Sequence, residues 1–175
     1  MQRRYIVCDP GECTGCRLCE FACALEKTGS FDLELSRIRV ASPQPTAAIS
    51  IACQLCEGAP CVSACPRDAL SVRPQDGTIG LEKALCTGCG WCIEACDFGA
   101  IAMDPGTKSV VICDLCSTLP TPACVEACPK KALSLSPPSA VAGRSRRTAA
   151  EKLLKDVPVT EADGRGRRLS AISYM

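Results

Sequence analysis

Sixteen cysteines stand in four groups of four, each opening with a C-x2-C pair and closing with a C-x3-C pair. The first group is Cys13, Cys16, Cys19 and Cys23, and the second is Cys53, Cys56, Cys61 and Cys65. The third is Cys86, Cys89, Cys92 and Cys96, and the fourth is Cys113, Cys116, Cys124 and Cys128. A thiolate can ligate a soft metal, attack as a nucleophile or close a disulfide, and spacing and context choose among these. A disulfide scaffold fits poorly. The count is odd at seventeen, and although the N-terminus carries Arg3-Arg4, no apolar stretch of signal-peptide length follows it. A chain made where thiols stay reduced is expected to use its cysteines as metal ligands. It has no histidine, which removes the commonest general base, histidine-containing zinc sites and Rieske-type centres together.

The spacing points to iron and sulfide rather than zinc. A cubane 4Fe–4S cluster takes four thiolates at the corners of a compact body. Three closely spaced cysteines supply a tight loop, and in the run C-x2-C-x2-C-x3-C-P the last cysteine reaches the other cluster of a pair. Groups one and three have this spacing and share the opening Cys-Thr-Gly-Cys. Groups two and four have longer middle gaps and end in Cys-Pro, at Pro66 and Pro129, where Ala24 and Asp97 stand after Cys23 and Cys96. The chain thus reads as a duplicated pair of motifs. Structural zinc usually joins two well-separated C-x2-C knuckles and has no use for a third cysteine so close behind. Gly15, Gly88 and Gly90 are expected to let the backbone pack against a bulky cluster and aim N–H groups at its sulfurs. The leftover thiol, Cys8, reads as a buried small apolar residue on a Tyr5–Cys8 strand, and Trp91 as packing over the cluster beside Cys89 and Cys92.

The elements between the groups must be short. Residues 35–40 lead through the chain-breaking 42–46 to Ile49 and Ile51, which suits a hairpin. Asp76-Gly77 separates 69–73 from 78–81, and Asp104-Pro105-Gly106 separates 100–103 from 109–112, giving two more. Residues 19–24 and 92–96 fit one or two helical turns, with cysteines at i and i+4 on one face. The hydrophobic fraction of 47% is inflated by cysteine, and only six residues are aromatic. A conventional apolar core would be thin for 175 residues, so the interior is expected to be largely inorganic. The fold class is α+β, loop-rich, with short hairpins and short helices.

Residues 137–175 change character, with eight Lys/Arg against four Asp/Glu. The whole chain is +1, so this +4 extension leaves the first 136 residues at −3. Thr148-Ala149-Ala150-Glu151 fits a capping box opening a short helix through about Val157, stopped by Pro158. The arginines lack interleaved aromatics, so a protein surface, on a partner or a neighbouring copy, is expected here rather than nucleic acid. No run approaches the roughly 18 apolar residues that span a bilayer, so a cytoplasmic chain without a transmembrane segment is expected.

Cys13-Thr-Gly-Cys16-Arg-Leu-Cys19-Glu-Phe-Ala-Cys23, the longer-gapped second and fourth groups, and Cys113-Asp-Leu-Cys116 resemble the four-cluster ferredoxin-like electron-transfer subunits of molybdenum and tungsten pterin oxidoreductases. Similar subunits serve formate dehydrogenases, dimethyl-sulfoxide reductases, aldehyde oxidoreductases, hydrogenases and carbon monoxide dehydrogenases. The likeness covers residues 5 to about 135. It implies tandem bacterial-ferredoxin-like lobes within a 1–136 domain, lobe one from 5–30 and 110–136, lobe two from 50–105, followed by the 137–175 extension. It also implies nested pairing: Cys13, Cys16 and Cys19 with Cys128; Cys113, Cys116 and Cys124 with Cys23; Cys53, Cys56 and Cys61 with Cys96; Cys86, Cys89 and Cys92 with Cys65. The sequence by itself equally permits pairing of adjacent groups. The implied function is a non-catalytic wire carrying four 4Fe–4S clusters between a catalytic oxidoreductase subunit and a second redox carrier. The alternative is a structural or cluster-assembly metal-binding scaffold.

Overall fold

The computed structural model describes residues 3–44 and 47–155. Four two-stranded antiparallel sheets are found among them. Strand β1 (Tyr5–Cys8) pairs with β8 (Leu133–Ser136), with Tyr5 opposite Ser136 and Cys8 opposite Leu133. Next come β2 (Arg39–Gln44) with β3 (Ala47–Ile51), β4 (Leu70–Val72) with β5 (Ile79–Leu81), and β6 (Ala102–Met103) with β7 (Val110–Val111). All three expected hairpins form. The turns of the second and third close on carboxylates: Asp76 Oδ1 accepts the Thr78 N–H at 2.9 Å, and Asp104 Oδ1 accepts the Gly106 N–H at 2.9 Å. The first hairpin starts later than residue 35. Leu33–Leu35 coil into a 3-10 turn, with the Asp32 side chain accepting the Glu34 N–H at 3.0 Å.

Helices α1 (Leu18–Thr28), α2 (Pro60–Ser63), α3 (Trp91–Glu94) and α4 (Ala123–Glu126) each begin inside a cysteine group. The last three are single turns. Helix α1 runs to three turns because nothing after Cys23 breaks it until Gly29, whose φ of +70° ends it with an N–H bonded to the Leu25 carbonyl at 2.8 Å. Helix α1 packs on α4, α2 packs on α3, and β1 with β8 joins the start of this unit to the segment after the fourth group. The first group therefore meets the fourth, distant in sequence, and the second meets the third that follows it.

Eighteen buried residues form the central cluster, and seven of them are cysteines: Cys19, Cys23, Cys53, Cys61, Cys92, Cys113 and Cys124. The aliphatic part is small, with Ile6, Ile38, Leu70, Ile79, Ile101, Val110, Ile112 and Leu133 between the cysteine loops. One buried charge braces this frame. Glu20, 1% exposed, accepts the Val40 N–H through Oε1 at 3.0 Å, which ties α1 to β2, and its other oxygen meets the half-exposed Arg17. Glu20→Ala would orphan that N–H, at a cost of about 1–3 kcal/mol. Glu20→Gln keeps the acceptor and loses only the solvent-screened ion pair, about 1 kcal/mol or less. The alanine variant is expected to bleach at clearly lower guanidinium concentration than wild type, with the glutamine variant close to wild type.

The chain divides into two compact units, residues 1–141 and residues 142–175. Helix α5 (Pro138–Leu153) begins ten residues before the expected capping box, so 148–151 lie in its interior. Pro138 suits a first helical turn, and the Pro137 carbonyl accepts the N–H groups of Ala140 and Val141 at 3.1 and 3.3 Å, which supplies the start that the capping box was expected to supply. In the 142–175 unit, Arg147 and Glu151 form an exposed i,i+4 pair at 3.1 Å. The expected stop at Val157 and Pro158 lies outside the described residues. No described helix is long and apolar enough to cross a membrane.

Candidate functional site

Each cysteine group bends its chain in the same way. The residue just before the second cysteine has positive φ in all four: Gly15 at +70°, Leu55 at +50°, Gly88 at +68° and Leu115 at +57°. This left-handed step turns the C-x2-C segment so that both sulfurs face one side. A second left-handed residue opens the helix in three groups: Arg17 at +63°, Ala59 at +38° and Gly90 at +83°. Another follows the closing cysteine by three residues in groups two, three and four, at Asp68, Gly99 and Lys131. Only some of these positions are glycine, so a glycine search of the sequence finds only part of the repeat. Two of the three expected glycines also make room for protein atoms. An added Cβ at Gly88 would lie 2.3 Å from the Lys108 carbonyl oxygen and one at Gly15 would lie 3.1 Å from the Ala48 Cβ, whereas Gly90 has nothing within 4 Å. The close approach is to protein behind the loop.

Three of the four expected sets line cavities. Cys13, Cys16, Cys19 and Cys128 wall one, and Cys65, Cys86, Cys89 and Cys92 another, each with about 340 Å³ of atom-free space counting the open mouth. Cys53, Cys56, Cys61 and Cys96 wall a third of about 420 Å³. In each, three cysteines come from one group and one closing cysteine from another. The remaining four lie within electrostatic reach of one another: Cys113 and Cys124 are both near Cys23, and Cys124 is also near Cys113 and Cys116. Neighbouring sets follow one another in a fixed order. Cys124 lies within electrostatic reach of Cys19, Cys113 of Cys53, and Cys92 of Cys61. The line therefore runs from the Cys13 set through the Cys113 set and the Cys53 set to the Cys86 set. Of the sixteen, the exposed ones are Cys16 and Cys89, one at each end.

Hydrogen bonds converge on the sulfurs. The Ala69 N–H donates to Cys65 Sγ at 3.3 Å, Ala100 to Cys96 at 3.4 Å, Leu115 to Cys113 at 3.5 Å, and Arg37 to Cys23 at 3.3 Å. The Ser50 hydroxyl, on the inward face of β3, lies 3.5 Å from Cys19 Sγ and 3.8 Å from Cys13 Sγ. Nothing in the sequence marks Ser50 beyond its place in the alternation of a strand. Cys8 is half-buried, not fully buried as expected. It accepts the Ser50 N–H at 3.3 Å and interacts with Cys13, on the flank of the first set. Trp91, at the start of α3, is 61% exposed beside Cys89.

Burial pushes the Cys113 thiol up to about 12, and those of Cys19, Cys53 and Cys92 up to about 11. Burial also raises Cys124, Cys61 and Cys23. Burial therefore holds these groups as neutral thiols even above the ordinary value of 9.0. Metal binding needs the thiolate and so expels protons, which makes retention weaker at low pH. Chelator-driven bleaching is expected to speed up several-fold as pH falls from about 8 to about 6. A pH-independent rate, followed by visible absorbance, would argue against thiolate ligation.

Comparison with known proteins settles the family. A 4Fe–4S dicluster domain matches residues 46–137, which takes in groups two, three and four. The chain belongs to the 4Fe–4S dicluster domain family. It is 42% identical over 127 residues to the polyferredoxin-like subunit of an aliphatic sulfonate oxidoreductase from Pyrococcus furiosus, covering 73% of this chain and 72% of that one. It is 34% identical over 171 residues to hydrogenase-4 component A of Escherichia coli, covering 75% and 82%. It is 31% identical over 137 residues to the thiosulfate reductase electron transfer subunit PhsB of Salmonella typhi, covering 71% of each.

Proposed function

We propose that this 4Fe–4S dicluster domain chain holds four 4Fe–4S clusters on its sixteen grouped cysteines and acts as a non-catalytic electron-transfer subunit. The observation that carries the reading is the set of cavities walled by four thiols, each joining three cysteines of one loop to a closing cysteine of another. The residues suit the group: the donors are all sulfur, backbone N–H groups point at several of them, and a void rather than a closed ring lies between. Cys13, Cys16, Cys19 and Cys128 would hold the first cluster and Cys23, Cys113, Cys116 and Cys124 the second. Cys53, Cys56, Cys61 and Cys96 would hold the third, and Cys65, Cys86, Cys89 and Cys92 the fourth. A bound cubane supplies one-electron chemistry at a potential set by hydrogen bonds to its sulfurs, nearby charge and exposure.

The protein's part is to fix the four in a line, shield the inner two and open the outer two at Cys16 and Cys89. One end would serve a catalytic subunit, and the other a second redox carrier. The catalytic partner is read as a molybdenum or tungsten pterin oxidoreductase of the aldehyde or formate type. A hydrogenase is the second reading, favoured by the 34% identity to a hydrogenase component. The basic 137–175 extension is proposed to dock on an acidic surface, and deleting it is expected to shrink the native complex without loss of iron.

Anaerobic reductive titration tests the wire. Four one-electron equivalents per chain are expected, with reoxidation by a catalytic partner purified from the same cells. Uptake of no electrons would leave the scaffold reading in its place.

A further inference from the structure

The closing cysteine of the first group is served differently from those of groups two and three. Cys65 and Cys96 each accept an N–H from four residues on. Cys23 has no such turn after it, because α1 runs on to Thr28, and its Sγ takes the N–H of Arg37 instead. That bond brings the Arg37 side chain to the set formed by Cys23, Cys113, Cys116 and Cys124.

Three charges lock together there. Arg37 NH1 lies 2.7 Å from Asp114 Oδ2, and Lys27 Nζ lies 2.9 Å from Asp114 Oδ1. Asp114 sits between Cys113 and Cys116, and its Oδ1 also accepts the Cys116 N–H at 3.1 Å. Two cations against one carboxylate leave a local charge of +1 beside four sulfurs. Lys27 is within electrostatic reach of Cys116, and Arg37 of Cys23. Arg37 Nε is buried, and no acceptor meets it among the described residues. A guanidinium has no acceptor character, so this N–H can be satisfied only by an electron-rich partner, and sulfur is what the neighbouring wall offers.

We propose that Arg37, seated by its backbone bond to Cys23 Sγ and assisted by Lys27, sets the potential of the cluster bound by Cys23, Cys113, Cys116 and Cys124, with the Asp114 carboxylate partly offsetting the two cations. It is a positioning residue and ligates nothing. Reduction adds one electron and one negative charge to that cluster, and a fixed cation beside it favours the reduced form. The Arg37 guanidinium therefore raises this potential and makes the second position in the line an electron-accepting step. The inference rests on the four-cluster reading above.

The test is a potentiometric titration of the intact holoprotein followed by electron paramagnetic resonance, on wild type, Arg37→Gln, Arg37→Lys and Asp114→Asn, each with its iron counted. Arg37→Gln is expected to weaken one of four one-electron reductions about tenfold, a fall of 59 mV by the one-electron conversion. Asp114→Asn, which removes the opposing negative charge, is expected to move the same component upward, and Arg37→Lys to leave it near wild type. The other three midpoints should stay fixed. A merely structural role would shift no midpoint or shift both variants the same way, and either result overturns the proposal. So does a common shift of all four components. Should Arg37→Gln lose four irons, the direction of Asp114→Asn decides alone: a rise supports the proposal, and no change or a fall overturns it. Wild type without cubane signals would sink the underlying reading instead, a distinct outcome.

Discussion

Gly88→Ala is expected to come through anaerobic purification about four irons short of wild type, with the set of Cys65, Cys86, Cys89 and Cys92 empty. Two effects act at this position. The backbone stands at φ +68°, which costs an ordinary L-residue about 1–2 kcal/mol. The added methyl would also sit 2.3 Å from the Lys108 carbonyl oxygen. The second effect dominates, because Leu55 and Leu115 occupy the equivalent step in their own groups at φ +50° and +57°. A side chain is tolerated there when there is room behind it. At Gly88 relief requires the turn between β6 and β7 to move or the Cys86–Cys89 loop to open, and the loop is what would carry the ligands. Gly29→Ala is the control. Its φ of +70° brings the same strain, but nothing lies within 4 Å and it stands at the end of α1, outside the cysteine loops, so it is expected to keep its full iron with a loss of about 1–2 kcal/mol. Iron analysis of the pair measures the difference, and equal iron in both would show that the Lys108 contact is not decisive.

Removing all the iron is expected to have a still larger effect: loss of the fold. Seven of the eighteen core residues are cysteines around cavities, and the aliphatic residues form a thin layer between them. Where a chain closes its interior around metal, the binding free energy is folding free energy. Without iron the sixteen thiols would surround voids, and the short helices and two-stranded hairpins could not stand alone. The radius of gyration is expected to rise from about 16 Å toward roughly 44 Å as the chain unfolds, checked by small-angle scattering before and after chelation. Restored dimensions after anaerobic reconstitution would complete the argument. An apo chain with unchanged dimensions would show that apolar packing suffices.

Much of this was legible from cysteine spacing alone. The groups, the three hairpins and the α+β character follow from C-x2-C and C-x3-C periods and from Asp-Gly and Asp-Pro-Gly turns, because those signals are local. Which closing cysteine crosses to which loop is not local. It depends on β1 reaching β8 and on α1 packing against α4, and residue types alone do not encode either. Arg37 and Ser50 were invisible for the same reason, since each meets a sulfur 14 or 31 residues away. The start of α5 was misplaced because Thr148 through Glu151 carries a capping signature that a helix begun at Pro138 simply runs through. The longer α1 shows the converse. A cysteine pair at i and i+4 marks a helical face, but only the position of Gly29 marks where it ends.

Iron and acid-labile sulfide per chain, measured on protein purified without oxygen, bear most directly on the central claim. Four clusters on sixteen cysteines predict about sixteen of each. Zinc with no labile sulfide would contradict it.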